Sequence, residues 1–213
     1  MKLIYLFFVA VLLLNNCQSD ETTTTRFIEP PDAIEPTEGY DGVYSALDGT
    51  WEGKFKIFED QDPGKRKVDQ LTNLTLSQLE KPSLKLTQTI DVQQIYISES
   101  PTLQRVRITD RYTDNDGKEQ VVKSEGVNKV EDGEMICIVN KPDETVRHSG
   151  SLVGEHTIVW QRNEQNPQKI EYFQEEVHDN LYEIIGYGYY EGDDTKKMPR
   201  LWFYGRYARA VSN

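Results

Sequence analysis

Residues able to do chemistry are few in this chain of 213 residues. There are three histidines, His148, His156 and His178, and Glu176 stands two residues before the last of them in a run of alternating polarity. That spacing sets a carboxylate beside an imidazole on one strand face, the minimum for acid–base work or for two ligands of a metal. No third ligand follows at a useful spacing, and the turn Asp179-Asn180 comes directly after, so an exposed polar strand end is the plainer expectation. If the chain were a hydrolase or isomerase, Glu176 and His178 would be its acid–base pair. Arg105, Arg107 and Arg111 share one strand face and could grip a carboxylate, but Val106, Ile108 and Tyr112 claim the opposite face for the core, which puts the arginines outside. Asp114-Asn115-Asp116-Gly117 has the acids of a calcium loop without its register and reads as a hairpin turn. Cys137 alternates with Met135 and Val139 as a small buried hydrophobe. No nucleophile elbow, phosphate loop or zinc signature occurs, and no cofactor or metal is called for.

The other concentration of chemistry is aromatic. Ten of the 22 aromatic residues fall between Tyr172 and Tyr207. Within Ile184–Tyr190, Gly186 and Gly188 lie on the face opposite Tyr187 and Tyr189, so they either relieve curvature or let something approach the backbone closely. A filled aromatic core with glycines at a bend is one reading. The other is a tyrosine-lined cavity for a small hydrophobic or amphipathic ligand or an envelope component, with Tyr187, Tyr189, Trp202 and Tyr204 as the contact surfaces; a non-binding scaffold for protein partners is the further alternative.

Three segments must carry these residues. Lys2 precedes Leu3–Leu14, an unbroken run of 12 apolar residues, well short of the roughly 20 needed to cross a bilayer. Residues 1–16 therefore read as a signal peptide. Residues 17–41 are acidic and contain four consecutive threonines and three prolines; residues 18–41 carry a net charge of −6. Little apolar surface and strong self-repulsion cannot offset ordering entropy, so this stretch is expected to be an unstructured tether. Residues 42–213 hold the folded domain. The whole chain has a formal charge of −12, which repels phosphate backbones and argues against nucleic-acid partners.

Inside that domain the dominant period is two. Trp51, Gly53, Phe55 and Ile57 alternate with Glu52, Lys54 and Lys56, and similar runs follow at Leu84–Val92, Val106–Tyr112, Met135–Val139, Ile158–Trp160, Lys169–Val177, Leu181–Glu191 and Arg200–Ala210. Asp-Gly, Asn-Pro, Asp-Asn and Gly-Asp pairs separate many of them. The expectation is an all-β domain of eight to ten strands in an antiparallel up-and-down meander, closed into a barrel because an open sheet of that length would leave unpaired edges.

Two short motifs add resemblances. Leu14-Asn15-Asn16-Cys17 resembles the lipobox of bacterial lipoproteins, with Asn16 where that family usually has a smaller residue. It implies that Cys17 becomes a lipidated first residue, so the partner is a lipid bilayer held through an N-terminal acyl anchor. Several acyl chains, at ~0.8 kcal/mol per buried CH₂, hold a protein durably. An ordinary secretory signal cut after Ser19 is the alternative. Gln18-Ser19-Asp20-Glu21 resembles a lipoprotein export signal and implies the outer membrane of the cell envelope. Gly49-x-Trp51 resembles the opening of lipocalin and other calycin barrels, which implies that Trp51 lies across the closed end beneath an arginine of the last strand, here Arg206 or Arg209. Nitrobindin-like haem barrels open similarly, but their ligand histidine has no clear counterpart here. The lipobox reading predicts that radiolabelled palmitate enters the parent protein and not a Cys17→Ala variant; equal labelling of both would remove the anchor.

Overall fold

The computed structural model describes residues 39–40, 42–63, 74–153 and 157–210. The signal segment, Cys17, the acidic stretch to residue 38 and His156 lie outside the described residues. Ten strands follow in chain order: β1 (Gly49–Asp60), β2 (Leu84–Ser100), β3 (Leu103–Thr113), β4 (Glu119–Glu131), β5 (Glu134–Asn140), β6 (Thr145–Val153), β7 (Thr157–Gln165), β8 (Gln168–His178), β9 (Leu181–Tyr190) and β10 (Leu201–Arg209). Each pairs antiparallel with the next, and β1 pairs with β10 from Trp51↔Arg209 to Glu59↔Leu201, so the sheet is a closed barrel. Among the described residues the only helical pieces are two short 3-10 turns, Ser45–Leu47 and Leu76–Leu79.

Alternation decides which side chains fill the barrel. Trp51 and Phe55 of β1, Val92 and Tyr96 of β2, Val106 and Ile108 of β3, Met135 and Cys137 of β5, Ile158 and Trp160 of β7, Tyr182 and Ile184 of β9, and Tyr207 of β10 belong to one cluster. That face is the lumen. β4 and β6 escape a search for apolar alternation because their inward positions are small or polar: Ser124, Gly126 and Asn128 on one, His148 and Gly150 on the other. Gly150 is required there, since a Cβ would stand 2.4 Å from the Trp160 ring.

One end of the barrel is plugged. The Ser45–Leu47 turn lies across it, with Tyr44 and Leu47 fully buried against the core. Strands β1, β2, β3, β4 and β10 each contribute a bond. The Trp51 indole donates to Leu47 O at 2.6 Å, the Tyr44 hydroxyl donates to Lys129 O at 2.9 Å, and Gln104 Nε2 donates to Tyr44 O at 2.7 Å and to Asp48 Oδ1 at 2.9 Å. Asp48 Oδ1 also accepts from the Ser98 backbone and hydroxyl. Arg209 lays its guanidinium carbon 4.2 Å from the Trp51 ring centroid and donates to the carbonyls of Asp48 and Ala46. A desolvated guanidinium over an indole contributes ~1–2 kcal/mol and here joins first strand to last. Arg206 is not its partner: it pairs opposite Lys54, faces solvent, and lies 3.9 Å from Glu183.

A second apolar cluster sits on the outer wall. Trp202, Tyr172 and Val159 are covered by Leu74 and the chain that follows it, with Ile185, Tyr187 and Leu79 packed around them. Gln174 holds Leu74 in place by accepting from its N–H at 2.9 Å and donating to its C=O at 3.2 Å, as a strand neighbour would.

These contacts make the plug the vulnerable end. Trp51→Leu is expected to cost about 3 kcal/mol in urea unfolding through the lost indole volume, its hydrogen bond and the Arg209 contact. Arg206→Gln, on the solvent side, is expected to change stability by less than ~0.5 kcal/mol.

Candidate functional site in the barrel lumen

β8 contributes Val177, Glu175, Phe173 and Glu171 to the lumen, in that order from the plug toward the opposite mouth. The four define its chemistry by level.

At the lowest level, Glu175 is enclosed by aromatic side chains. The Trp160 indole of β7 and the Tyr182 hydroxyl of β9 hydrogen-bond its carboxyl. The Tyr96 hydroxyl donates to Gln94 Oε1 at 2.9 Å and lies 3.4 Å from that of Tyr182, whose ring packs on Tyr207 and Trp51. Burial pushes the Glu175 carboxyl up to about 7, although the two hydrogen bonds pull the other way. Burial likewise raises the Tyr96, Tyr182 and Tyr207 hydroxyls and the Cys137 thiol, all of which stay neutral. Between this level and the plug lies a cavity of about 20 Å³, lined by Val43, Ala46, Leu47, Leu152, Ile158, Val177 and Glu175. It has room for about one water molecule.

The middle level is apolar. Phe203 stacks between Phe55 and Phe173 at centroid distances of 5.8 and 5.4 Å, and His148 meets Phe173 edge-on at 5.7 Å. Phe55, Ile90, Ile108, Cys137 and Phe173 all face the lumen of a closed wall yet remain only partly buried. Side chains turned away from solvent and still partly uncovered border open interior volume. Asp110 of β3 faces the same space, and burial raises its carboxyl while Lys141 opposes the rise.

At the mouth, charges are paired. Arg162, whose side chain is 4% exposed, donates to Glu164 at 2.8 Å and to Glu144 at 3.2 Å and stands 3.5 Å from Glu171. Lys169 reaches Glu144 at 2.6 Å, and the Tyr190 hydroxyl donates to Glu171 at 2.6 Å. His148 Nε2 lies 3.4 Å from Glu171 Oε2 but makes no hydrogen bond. Burial alone would raise Glu171; the His148 and Tyr190 groups facing it, with the Arg162 charge, outweigh burial and hold it at about 2. Glu171 and Glu175, four residues apart on one strand face, thus titrate on opposite sides of the ordinary glutamate value, at about 2 and about 7, for reasons of environment alone.

The residues singled out from sequence fall elsewhere. Tyr187 and Trp202 face outward in the covered cluster, with Tyr172 stacked on Tyr187 at 5.2 Å. The Tyr189 hydroxyl donates to Lys197 O, and Tyr204, also on the outer wall, donates to Glu183 at 2.6 Å. A ligand inside the barrel touches none of these four, because strand alternation gives the inner wall to Gly186, Gly188, Phe203 and Gly205. What approaches Gly186 and Gly188 is the protein's own rings: a Cβ at either would meet Phe173 or Tyr190 within 2.9 Å. Glu176 and His178 do come within 3.4 Å of each other, on the solvent side of β8 with side chains 38% and 56% exposed. Arg107 and Arg111 are exposed and Arg105 pairs with Glu99. The residue passed over is Glu175, next to Glu176 but on the period of Phe173 and Val177; a carboxylate in phase with apolar neighbours was the available signal. The sequence matches no family model and none of the curated proteins compared with it.

The carboxyl of Glu175 is easier to bury protonated, so its folded-state value lies above the ordinary ~4.3 of an unfolded chain. Its contribution to stability is complete below that lower value and is lost as pH rises toward about 7. Glu175→Gln is therefore expected to match the parent at pH 5 and to melt roughly 5 °C higher at pH 8, a difference on the order of 2 kcal/mol. A difference independent of pH would assign the carboxyl an ordinary titration.

Proposed function

We propose that this chain is a lipid-anchored protein of the cell envelope whose barrel binds a small amphipathic ligand in its lumen. The observation that carries the binding reading is the set of inward side chains left partly uncovered inside a closed wall: Phe55, Ile90, Ile108, Cys137 and Phe173. An apolar space edged by a few polar groups is what a binding pocket requires. The same interior supplies both ends of an amphipathic molecule, phenylalanine rings in the middle and carboxyls at Glu175 and Asp110. Support for the anchor is the cysteine at the close of the apolar leader and the acidic, proline-containing stretch behind it. That arrangement suits a domain displayed from the outer membrane on an acidic spacer. The Glu176–His178 pair is exposed on the outer wall and takes no part in the lumen site.

Protein purified from its own host is expected to carry a small molecule that native mass spectrometry detects and organic solvent extracts. Ile90→Trp, which places an indole in the uncovered volume, is expected to lower that occupancy at least tenfold while the circular dichroism spectrum remains that of a β-barrel. An empty parent protein with nothing extractable would refute the binding reading.

A further inference from the structure

Glu175 is a half-buried lumen carboxyl that stands among aromatic groups and beside a small cavity. Its neighbours come from every element packed on it: Trp160 and Ile158 of β7, Tyr182 of β9, Tyr96 of β2, Tyr207 of β10, Cys137 of β5, and Leu47 of the plug. Trp160 and Tyr182 supply hydrogen bonds, and no lysine, arginine or histidine among the described residues pairs with it. A carboxylate has about four acceptor sites, so two donors leave it short by half. The second inward carboxyl, Asp110, adds negative charge beyond Tyr207. Trp160 and Tyr182, which bond Glu175, belong to an aromatic cluster with Tyr44 and Trp51, and the faces of such rings attract a cation. The cavity beside Glu175 measures about 20 Å³, which accommodates a group the size of water.

Resting on the lumen-binding reading above, we propose that the ligand is a primary amine with an apolar body, and that Glu175 is the counter-ion of its ammonium head. An –NH₃⁺ group is close to water in size and brings three donors to a carboxylate that lacks them; a trimethylammonium group is several times too large for the space. The hydrocarbon part then lies along Phe55, Phe173 and Phe203. Binding moves one proton: below about pH 7 the neutral carboxyl of Glu175 must release its proton when the ammonium arrives, so affinity for the amine rises with pH until the carboxyl is ionised.

Calorimetric titration of the ligand-stripped parent protein with n-octylamine, n-octanol, sodium octanoate and octyltrimethylammonium tests this. The expected result at pH 8 is octylamine bound at least tenfold more tightly than octanol, with octanoate and octyltrimethylammonium weaker still. The preference is expected to shrink at pH 5.5 and to vanish in Glu175→Gln, whose octanol affinity stays within about twofold of the parent's. Octanol or octanoate bound as tightly as octylamine would overturn the amine assignment and leave the lumen reading standing. A preference that survives in Glu175→Gln but is lost in Asp110→Asn would overturn Glu175 as the counter-ion. Failure of all four compounds to bind would overturn the lumen reading itself.

Discussion

The pairing of β1 with β10 is the contact on which the rest of this structure depends. It joins residues at opposite ends of the folded domain, Trp51 with Arg209, and turns a meander of local hairpins into a wall without edges. Nine of the ten pairings link consecutive strands and cost little loop entropy; the tenth must be compensated by something beyond its own backbone bonds. The compensation is visible in the plug. Arg209 covers Trp51 and binds the carbonyls of Ala46 and Asp48, so closure of the sheet and seating of the 3-10 turn are one event. Gln104 and Asp48 extend that coupling to β2, β3 and β4.

Closure then sets a problem of volume. The diameter of a barrel grows with strand number, and ten strands enclose more space than side chains of an eight-stranded barrel have to fill. This chain fills the plugged end with tryptophan and tyrosine and stacks three phenylalanines across the middle, yet it also places six glycines on the inner wall, where each admits a neighbouring ring or strand and adds no volume of its own. Large rings lying on bare backbone are directional. They build flat walls with gaps between them, which is why Phe55 and Phe173 contact the core and still keep uncovered surface. The polar groups follow the same division. At the mouth carboxylates are matched with Arg162 and Lys169; near the plug Glu175 is matched only with neutral donors and titrates at about 7.

How much of this could be read from the residues depends on what alternation encodes. Strands such as β1, β2, β9 and β10 announce themselves because large apolar or aromatic residues recur in them at period two, and the closed all-β barrel follows from the number of such runs. β4 and β6 do not, because a barrel interior that keeps polar and small residues at Ser124, Asn128, His148 and Gly150 erases the contrast on which the pattern rests. The face assignment of the C-terminal aromatics fails for a different reason. Period two separates two faces without naming which is inner, and in β9 and β10 both faces are aromatic because the outer one is also covered. Nothing local in Tyr187 or Trp202 says that Leu74, more than a hundred residues away, will lie over them.

That outer cover has a mechanical counterpart at the plug. The described chain enters the fold at Tyr40 and Gly42, where the Gly42 N–H bonds Pro101 O, and it runs directly into the turn that seals the barrel. The described chain therefore begins at the closed end, and the mouth rimmed by Arg162, Glu144 and Lys169 is the opposite end. For the proposed anchored form this polarity matters: a membrane at the end of the acidic spacer meets the sealed face, and whatever enters the lumen comes past a ring of paired charges. Such a ring is satisfied within itself, since each carboxylate already has a cation, so it offers little to hold a charged molecule on the way in. In the proposed binding mode attraction begins further down, at a carboxyl that titrates at about 7. A paired gate above an unpaired acid favours a ligand that is neutral or weakly held at the entrance and becomes strongly held only at full depth.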